Sequence, residues 1–441
     1  MQVVVVGSGA REHALAHVLS RTAKVLVTPG NPGMEEPEAP GGPAGISSTA
    51  APAEEIEADL YVIGPEAPLV DGLADRLRAR GRRVVGPGRP GAVLEGSKAW
   101  MKELLIEAQI PTARHGSFSS FAEASQFLAQ LPGPYVIKTD GLAGGKGVFV
   151  TSSLADAKVD IEAKLSGRSF GDAGRKVVIE EGLSGDELSL MVLCDGKRVA
   201  PLALAQDFKR LKDSDDGPNT GGMGAYSPVP SAGEDLVEHM IETAVEPLVH
   251  VLRRRGIDYR GVLYAGIMLT AEGPKVLEYN IRFGDPEAQV VLPRLGCDLA
   301  AVLLEVAEGH LRTEVKFVRD ACICVVLAAE GYPDSPRHGD RIGDLEAAAN
   351  IDSVTVFHGS TALDASGNFV TAGGRVLSVT AVAPELAQAR SSAYEAVEAL
   401  RWPGCQYRND IALAAVDNLH RGLQQMPAKL VEPSGEKEPA K

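Results

Sequence analysis

Short apolar runs punctuated by glycine set the rhythm of the first hundred residues. QVVVVG, KVLVT, LYVIG and RRVVG read as buried parallel strands. Each ends in Gly, Pro or small residues, and REHALAHVLS and LVDGLADRLRAR follow with helical periodicity. That alternation predicts an open α/β sheet whose ligands gather at the carboxyl ends of its strands. From about residue 98 the pattern changes. SKAWMKELLIEAQIP predicts a helix stopped by Pro111, and SFAEASQFLAQL a helix opened by a capping box of Ser120 and Glu123. PYVIKTD, GVFVTS, KVVIEE, ELSLMVLCDG and KRVAPLALAQ then read as strands at hairpin-like spacing. The helix DLVEHMIETAVEPLVHVLRRRG leads to two more strands, GVLYAGIMLT and PKVLEYNI. After roughly residue 320 a further α+β segment carries CICVVLAAEGYP, SVTVFHG and GGRVLSVTAV, and MPAKLVEPSGEKEPAK has the composition of a disordered tail.

At 441 residues the chain is too long for one ordinary core and suggests about two to four domains. Its 48 glycines exceed the usual ~7%, and many cluster between apolar runs, as in loops that approach ligands closely. A net charge of −15 argues against a general nucleic-acid surface while leaving local anion sites open. The five cysteines (Cys194, Cys297, Cys322, Cys324, Cys405) form no CxxC pair, so neither a zinc site nor a disulfide framework is suggested. MQVVVVG is too short for a signal peptide, and no run approaches the ~18 apolar residues of a membrane span. A reduced, cytoplasmic enzyme is expected.

Several stretches carry chemistry. GSGARE follows the first strand and opens a helix, but Glu12 stands where a dinucleotide fold places its third glycine. Both an anion seat at the helix N-terminus and a plain tight turn remain open there. TPGNPG and IGPEAP end neighbouring strands, so Asn31 and Glu66 can reach sugar hydroxyls at the same sheet edge. GLAGGKGV, residues 141–148, is no P-loop: Asp140 stands at the first glycine position, Gly147 follows the lysine, and a strand comes next instead of a helix. It reads as a glycine hairpin over phosphates, with Lys138 on the strand before it and Lys146 in the loop. In PKVLEYNIRFGDPE, strand alternation puts Glu278, Asn280 and Arg282 on one face and Leu277, Tyr279 and Ile281 on a core face. The carboxylate and amide suit Mg²⁺ bridging nucleotide phosphates, and Arg282 suits a phosphate or carboxylate. QDFKRLKDSDDGPNTGGMGAYSP has neither helix nor strand period; a loop of that length is more often functional than idle.

Taken in order, GSGAREHAL, NPG, GPEAPLVDGLAD, LEGSK, PYVIKTDGLAGGKGV, GPNTGGMGAYSP, GVLYAGIML, LEYNIRFGDPE and GGRVLSVTA resemble the phosphoribosylamine–glycine ligase family of the ATP-grasp superfamily, from residue 1 to about 420. The resemblance implies an α/β and α+β multidomain fold. Its parts are an N-terminal open parallel α/β domain (1–98), an ATP-grasp domain (99–320, flap about 113–182), a C-terminal α+β domain (321–425) and a disordered tail (426–441). It implies ligation of glycine to 5-phosphoribosylamine through a glycyl phosphate, with ATP cleaved to ADP and phosphate and Mg²⁺ or Mn²⁺ as metal. By the same resemblance Lys98, Lys138, Gly144, Gly145 and Lys146 hold nucleotide phosphates. Glu180, Glu181 and Leu183 lie on the adenine side, Glu187 takes the ribose, and Glu278 and Asn280 hold the metal. Gly9, Arg11, Glu12, Asn31, Glu66, Asn219, Thr220 and Asp285 are candidates for substrate contact. Arg282 and Asp213 are candidates for glycine and, with Lys146, for catalysis. A monomer without nucleic-acid or membrane partners is expected.

Four departures from the family's pattern stand out. GSGA replaces GSGG, Phe208 takes a common histidine position, VFHGST replaces HAGT, and GVLYAGIML lacks the second metal carboxylate of many ATP-grasp enzymes. A biotin or aminoimidazole ribonucleotide carboxylase component shares the flap and metal strand. It is not expected to carry GPNTGGMGAYSP. An inactive nucleotide-binding regulator would lose the lysines and metal residues, all of which are present.

Overall fold

Five parallel strands form the N-terminal sheet in the computed structural model, which describes residues 1–36, 44–143 and 146–425. Gly144, Gly145 and the tail 426–441 lie outside the described residues. The strands are β1 (Gln2–Gly7), β2 (Lys24–Pro29), β3 (Ile46–Ser48), β4 (Leu60–Ile63) and β5 (Val84–Val85), in the order β3-β2-β1-β4-β5. Helix α1 (Ala10–Leu19) leaves β1, so the order reverses beside it, and the β1 and β4 loop ends share one crevice. The expected strands are all present, and β3 adds one too short to announce itself. LVDGLADRLRAR, one helical pattern in the sequence, is two helices: α2 (Glu66–Val70) and α3 (Leu73–Ala79). Gly72 at φ 83° breaks it, a left-handed turn that glycine adopts without strain.

Helices α4 (Arg89–Gly96) and α5 (Lys98–Glu107) lead into the antiparallel flap sheet. Its strands are β6 (His115–Phe118), β7 (Tyr135–Thr139), β8 (Val148–Thr151) and β9 (Val177–Glu181), in the order β6-β9-β7-β8. The flap has a core of its own, built from Leu128, Ile137, Ile161, Val177 and Ile179 among others. Ser120 does cap the Phe121–Leu128 helix, but its side chain makes no capping bond, so the box expected with Glu123 does not close.

A second antiparallel sheet lies opposite: β10 (Asp186–Asp195) and β11 (Val199–Pro201) with the longer strands Arg260–Thr270 and Gly273–Asn280. The expected long helix before it is interrupted. Glu234–Met240 passes through one π turn, Ile241–Val245, into Glu246–Arg254. Pro247 has no N–H to offer the Thr243 carbonyl, which removes one α-helical bond there.

The stretch 206–228, which showed no strand period, contains four short strands: Gln206–Asp207, Arg210–Lys212, Asp216–Asn219 and Gly224–Ser227. Two pair with each other, and two join the C-terminal sheet of Ala321–Ala328, Arg375–Ala383 and Val354–His358. Runs of two to four residues split between two sheets leave no alternation for a sequence to display.

Candidate active site

The glycine hairpin forms as expected. β7 and β8 pair antiparallel from Tyr135↔Thr151 to Lys138↔Val148, and Lys146, exposed, lies in the turn between them. At its base Asp140 accepts from Ser97 Oγ and Ala99 N, both at 2.9 Å. This ties the loop to the start of α5 and sets Lys98 Nζ 3.5 Å from the Gly141 carbonyl. Beneath the loop lies a cluster the sequence reading missed. Glu180 receives Lys138 at 2.8 Å and Lys102 at 2.9 Å, with all three side chains nearly sealed from solvent. Lys102 also donates to Thr112 at 2.8 Å, and Lys138 to the Leu277 carbonyl at 3.1 Å. Burial favours the neutral form of Glu180, yet Lys138 and Lys102 outweigh it and keep its pKa below the ordinary value. Burial pushes Lys102 down to about 8 against the pull of Glu180. The Glu180 carboxylate is thus committed to two lysines. Of the other adenine-side candidates, Glu181 N donates to Arg114 O, its carboxylate accepts from Arg114 N, and Leu183 lies just past the end of β9.

Glu278 and Asn280 share a face of the Gly273–Asn280 strand, with Tyr279 and Ile281 buried on the other. Leu277 departs from the expected core face. A bulge opposite Gly266 and Ile267 pairs them with Glu278 and Val276, so Val276 takes the core place and the Leu277 carbonyl turns toward Lys138. Burial alone would raise the Glu278 pKa, but Lys209, Lys138, Lys98 and Arg282 bring it down to about 2. It is therefore a ready anionic ligand at neutral pH. Lys209 forms an ion pair with Glu187, each side chain about a third exposed (34% and 28%) in the cleft wall. Among the described residues no three carboxylate, histidine or cysteine side chains form a metal cluster. One ionised carboxylate plus one amide fits a magnesium ion that draws its other oxygens from phosphates and water.

Arg282 lies between two carboxylates, 3.4 Å from Glu66 and 3.1 Å from Glu95, whose second oxygen accepts the Ile281 N–H at 2.8 Å. Burial opposes its charge, but Glu95 and Glu66 hold its pKa above the usual arginine value. Glu95, inside the LEGSK motif, was not singled out from sequence; a lone acid on a helix gives no signal. Glu12 explains the glycines around it. Its carboxylate accepts Gly9 N at 2.7 Å and Arg11 Nε at 2.6 Å, and a Cβ on Gly64 would lie 2.2 Å from it. The β1 turn thus houses a buried carboxylate where the anion reading placed a phosphate. Arg11 also donates to the Phe283 carbonyl at 3.2 Å, which joins the N-terminal loop to RFGDPE.

Three motifs converge on Arg375. It donates to Gly221 O at 2.6 Å, Asp285 O at 2.8 Å and Asp285 Oδ2 at 2.8 Å. Asp285 is therefore paired within the protein. Thr220 folds its own loop, donating to Lys209 O at 2.9 Å and accepting Gly222 N at 3.0 Å, and Asn219 pairs with Arg210. Asp213 is turned elsewhere: Asn409 N and Nδ2 donate to it at 2.7 and 3.0 Å, in the C-terminal segment. Its sequence neighbours, mixed in charge, gave no sign of that partner.

Asn31 likewise finds its partners inside the protein. Its amide donates to the carbonyls of Ser8, His358 and Gly359 at 2.9 to 3.1 Å, and its oxygen accepts Gly33 N at 2.9 Å. It therefore clasps the N-terminal loop to the HGST turn of the C-terminal sheet. His13 reinforces the clasp by accepting the His358 N–H on Nδ1 at 2.8 Å, a role open only to an unprotonated nitrogen. Burial lowers the pKa of His13 and takes that of His358 to about 3. Burial opposes the Glu36 charge, but hydrogen bonds from His13 and His17 bring its pKa to about 2. All three fold with depressed values, so the unfolded chain binds more protons as pH falls from about 6.5. The thermal midpoint is expected to drop steadily as pH is lowered from about 6.5 to about 4, with a shallower slope for His13→Asn. A midpoint flat across that window would remove the clasp from the stability argument.

Models of the phosphoribosylglycinamide synthetase N domain, ATP-grasp (A) domain and C domain match residues 1–95, 96–288 and 322–414. The phosphoribosylamine–glycine ligase of Brucella melitensis is 45% identical over 424 residues, 95% of this chain and 99% of its own. That of Escherichia coli O157:H7 is 42% identical over 426 residues, with 95% and 99% covered. Among solved structures, the Thermotoga maritima phosphoribosylamine–glycine ligase superposes with a TM-score of 0.81 at 33% identity, over 93% of this chain and 100% of its own. A biotin carboxylase from Campylobacter jejuni reaches a TM-score of 0.68 at 14% identity, with 97% of each chain covered; it shares the fold.

Proposed function

The chain belongs to the phosphoribosylglycinamide synthetase family, and from that premise we propose how its own residues carry the reaction. It is a ligase that joins glycine in an ATP-dependent step of purine biosynthesis. The acceptor amine is 5-phosphoribosylamine, and the route runs through glycyl phosphate, because a free carboxylate is a poor acyl donor until phosphorylated. What supports this reading most is the set of cations gathered around one ionised carboxylate: Lys209, Lys138, Lys98 and Arg282 about Glu278.

Glu278 and Asn280 would hold a divalent ion, Mg²⁺ or Mn²⁺, which would supply charge neutralisation at the phosphate oxygens. Lys98 and Lys138 position the phosphates from the floor, and Lys146 covers them from the exposed turn of the β7–β8 lid. Adenine lies at the Glu181–Leu183 edge and the ribose at Glu187. Gly9, Arg11, Glu12 and Glu66 line the phosphoribosylamine side, joined to the transfer site through Arg282. Asn31, Thr220, Asn219 and Asp285 shape this cleft through their protein partners. Closure of the lid keeps water from two hydrolysable species, the acyl phosphate and phosphoribosylamine. The protein acts on these small molecules as a cytoplasmic monomer, without nucleic-acid or membrane partners. The charge of −15 weighs against a nucleic-acid partner; among the described residues no helix is long and apolar enough to cross a membrane.

With ATP, Mg²⁺, glycine and phosphoribosylamine all present, the purified protein is expected to release ADP and glycinamide ribonucleotide in equal amounts. ADP release with bicarbonate but none with glycine would overturn the reading.

A further inference from the structure

The QDFKR segment holds a buried carboxyl group, Asp207, that neither the metal site nor the phosphate lysines use. Asp207 Oδ1 is sealed from solvent and has no hydrogen-bond partner among the described residues. Burial, with Glu287 and Glu187 nearby, pushes its pKa well above the ordinary aspartate value against the pull of Lys209, a balance that an added cation would reverse. Lys209 is already in contact with Glu187 and also feels Glu278. Glu287, almost fully buried, has its Oε1 fixed by Ser189 Oγ at 3.0 Å and Tyr264 Oη at 2.9 Å, both neutral donors. Three carboxylates, Glu187, Asp207 and Glu278, thus act on one lysine, with Glu287 beside Asp207. A buried carboxylate oxygen without a donor is costly unless a ligand supplies one.

We propose that Asp207, backed by Glu287, is the seat of the glycine ammonium group. This rests on the ligase reading above. The glycine carboxylate has to meet the terminal phosphate, hence the Glu278 side of the cleft. Its ammonium lies only one carbon further on and needs an anion close to that point. Strand register places Glu278 and Asp207 together: Ser189, bonded to Glu287, pairs with Gly266, which pairs with Glu278, and Ser189 also bridges Ala205, two residues before Asp207. An ammonium held by carboxylates keeps its lone pair protonated. It therefore does not compete with phosphoribosylamine for the acyl phosphate. The subsite takes a small α-amino acid in its zwitterionic form and rejects the hydroxy acid of the same size.

The test is Asp207→Asn, which preserves shape and removes charge. Losing a charged hydrogen bond is expected to raise the KM for glycine by about 30-fold, leave the KM for ATP within about twofold, and keep kcat at saturating glycine within about threefold. The preference for glycine over glycolate in ADP release is expected to shrink by a similar factor. Glu287→Gln, which still accepts from Ser189 and Tyr264, is expected to raise the glycine KM by a smaller factor. It decides the question if the Asp207 variant fails to fold. A glycine KM unchanged in whichever variant folds would overturn the proposal. So would a defect cured by raising Mg²⁺, which would assign Asp207 to a second metal ion. Product formation by the wild-type protein is measured alongside, so failure of the ligase reading itself is seen separately.

Discussion

Glu278→Gln is expected to lower kcat for ADP release by about 10³-fold or more, because it takes the only full charge from the proposed metal pair. Its effect on stability distinguishes this site from most. Removing an active-site acid often stabilises a fold by relieving repulsion. Here the carboxylate faces four cations, and its pKa falls from 4.5 to about 2 on folding. The folded state prefers the ionised form, so its contribution is fully present above about pH 4.5 and is lost as pH falls toward about 2. The Gln variant lacks it at every pH. Without nucleotide it is therefore expected to melt below the wild type at neutral pH and to converge with it in acid. Calorimetry at the two pH values checks this beside the activity assay. A variant that keeps its turnover would remove Glu278 from the metal site, whatever its melting point.

The sequence showed the elements whose period is regular: the parallel strands, the hairpin under Lys138, and the alternation that presents Glu278 and Asn280. It misplaced Leu277 because a bulge depends on the partner strand, which a single-strand period does not register. Asn31 and Asp213 looked like free polar groups on ligand loops; the groups that engage them lie some 330 and 200 residues away in the chain. Glu95, Lys102 and Arg375 were passed over for the converse reason. Each is an ordinary charged residue in its local run, and its role follows from buried partners on other elements. Clustered glycines suggest ligand clearance, whereas around β1 they leave room for the Glu12 side chain.

Of those missed residues, Lys102 belongs to the cluster whose disruption should cost the fold most. Glu180→Met leaves two buried lysines, Lys102 and Lys138, without their shared carboxylate. Removing one side of a buried ion pair typically costs about 3–5 kcal/mol, and this carboxylate serves two partners. Lys102→Met is expected to be milder, since Glu180 keeps Lys138 and the charges still balance. The pH dependence fixes the cause. In the wild type Lys102 already falls from 10.5 to about 8, with burial the larger influence and Glu180 resisting it. Without Glu180 it falls further and folds neutral, while the unfolded chain still binds that proton up to about pH 10.5. The unfolded state then holds more protons, so stability rises with pH. The Glu180→Met defect is therefore expected to shrink as pH is raised from about 6.5 to about 8, above which Lys102 folds neutral in the wild type too and the two slopes match, a pattern that loss of packing alone would not produce. Hydrogen exchange would place the defect in β7 and β9 and in the Thr112 junction, where the Thr112 hydroxyl donates to Val276 O at 2.6 Å. That junction joins the flap to the strand of Glu278 and Asn280. Loosening it is expected to raise the KM for ATP, because Lys138 then lacks the anchor that holds it in the proposed phosphate site.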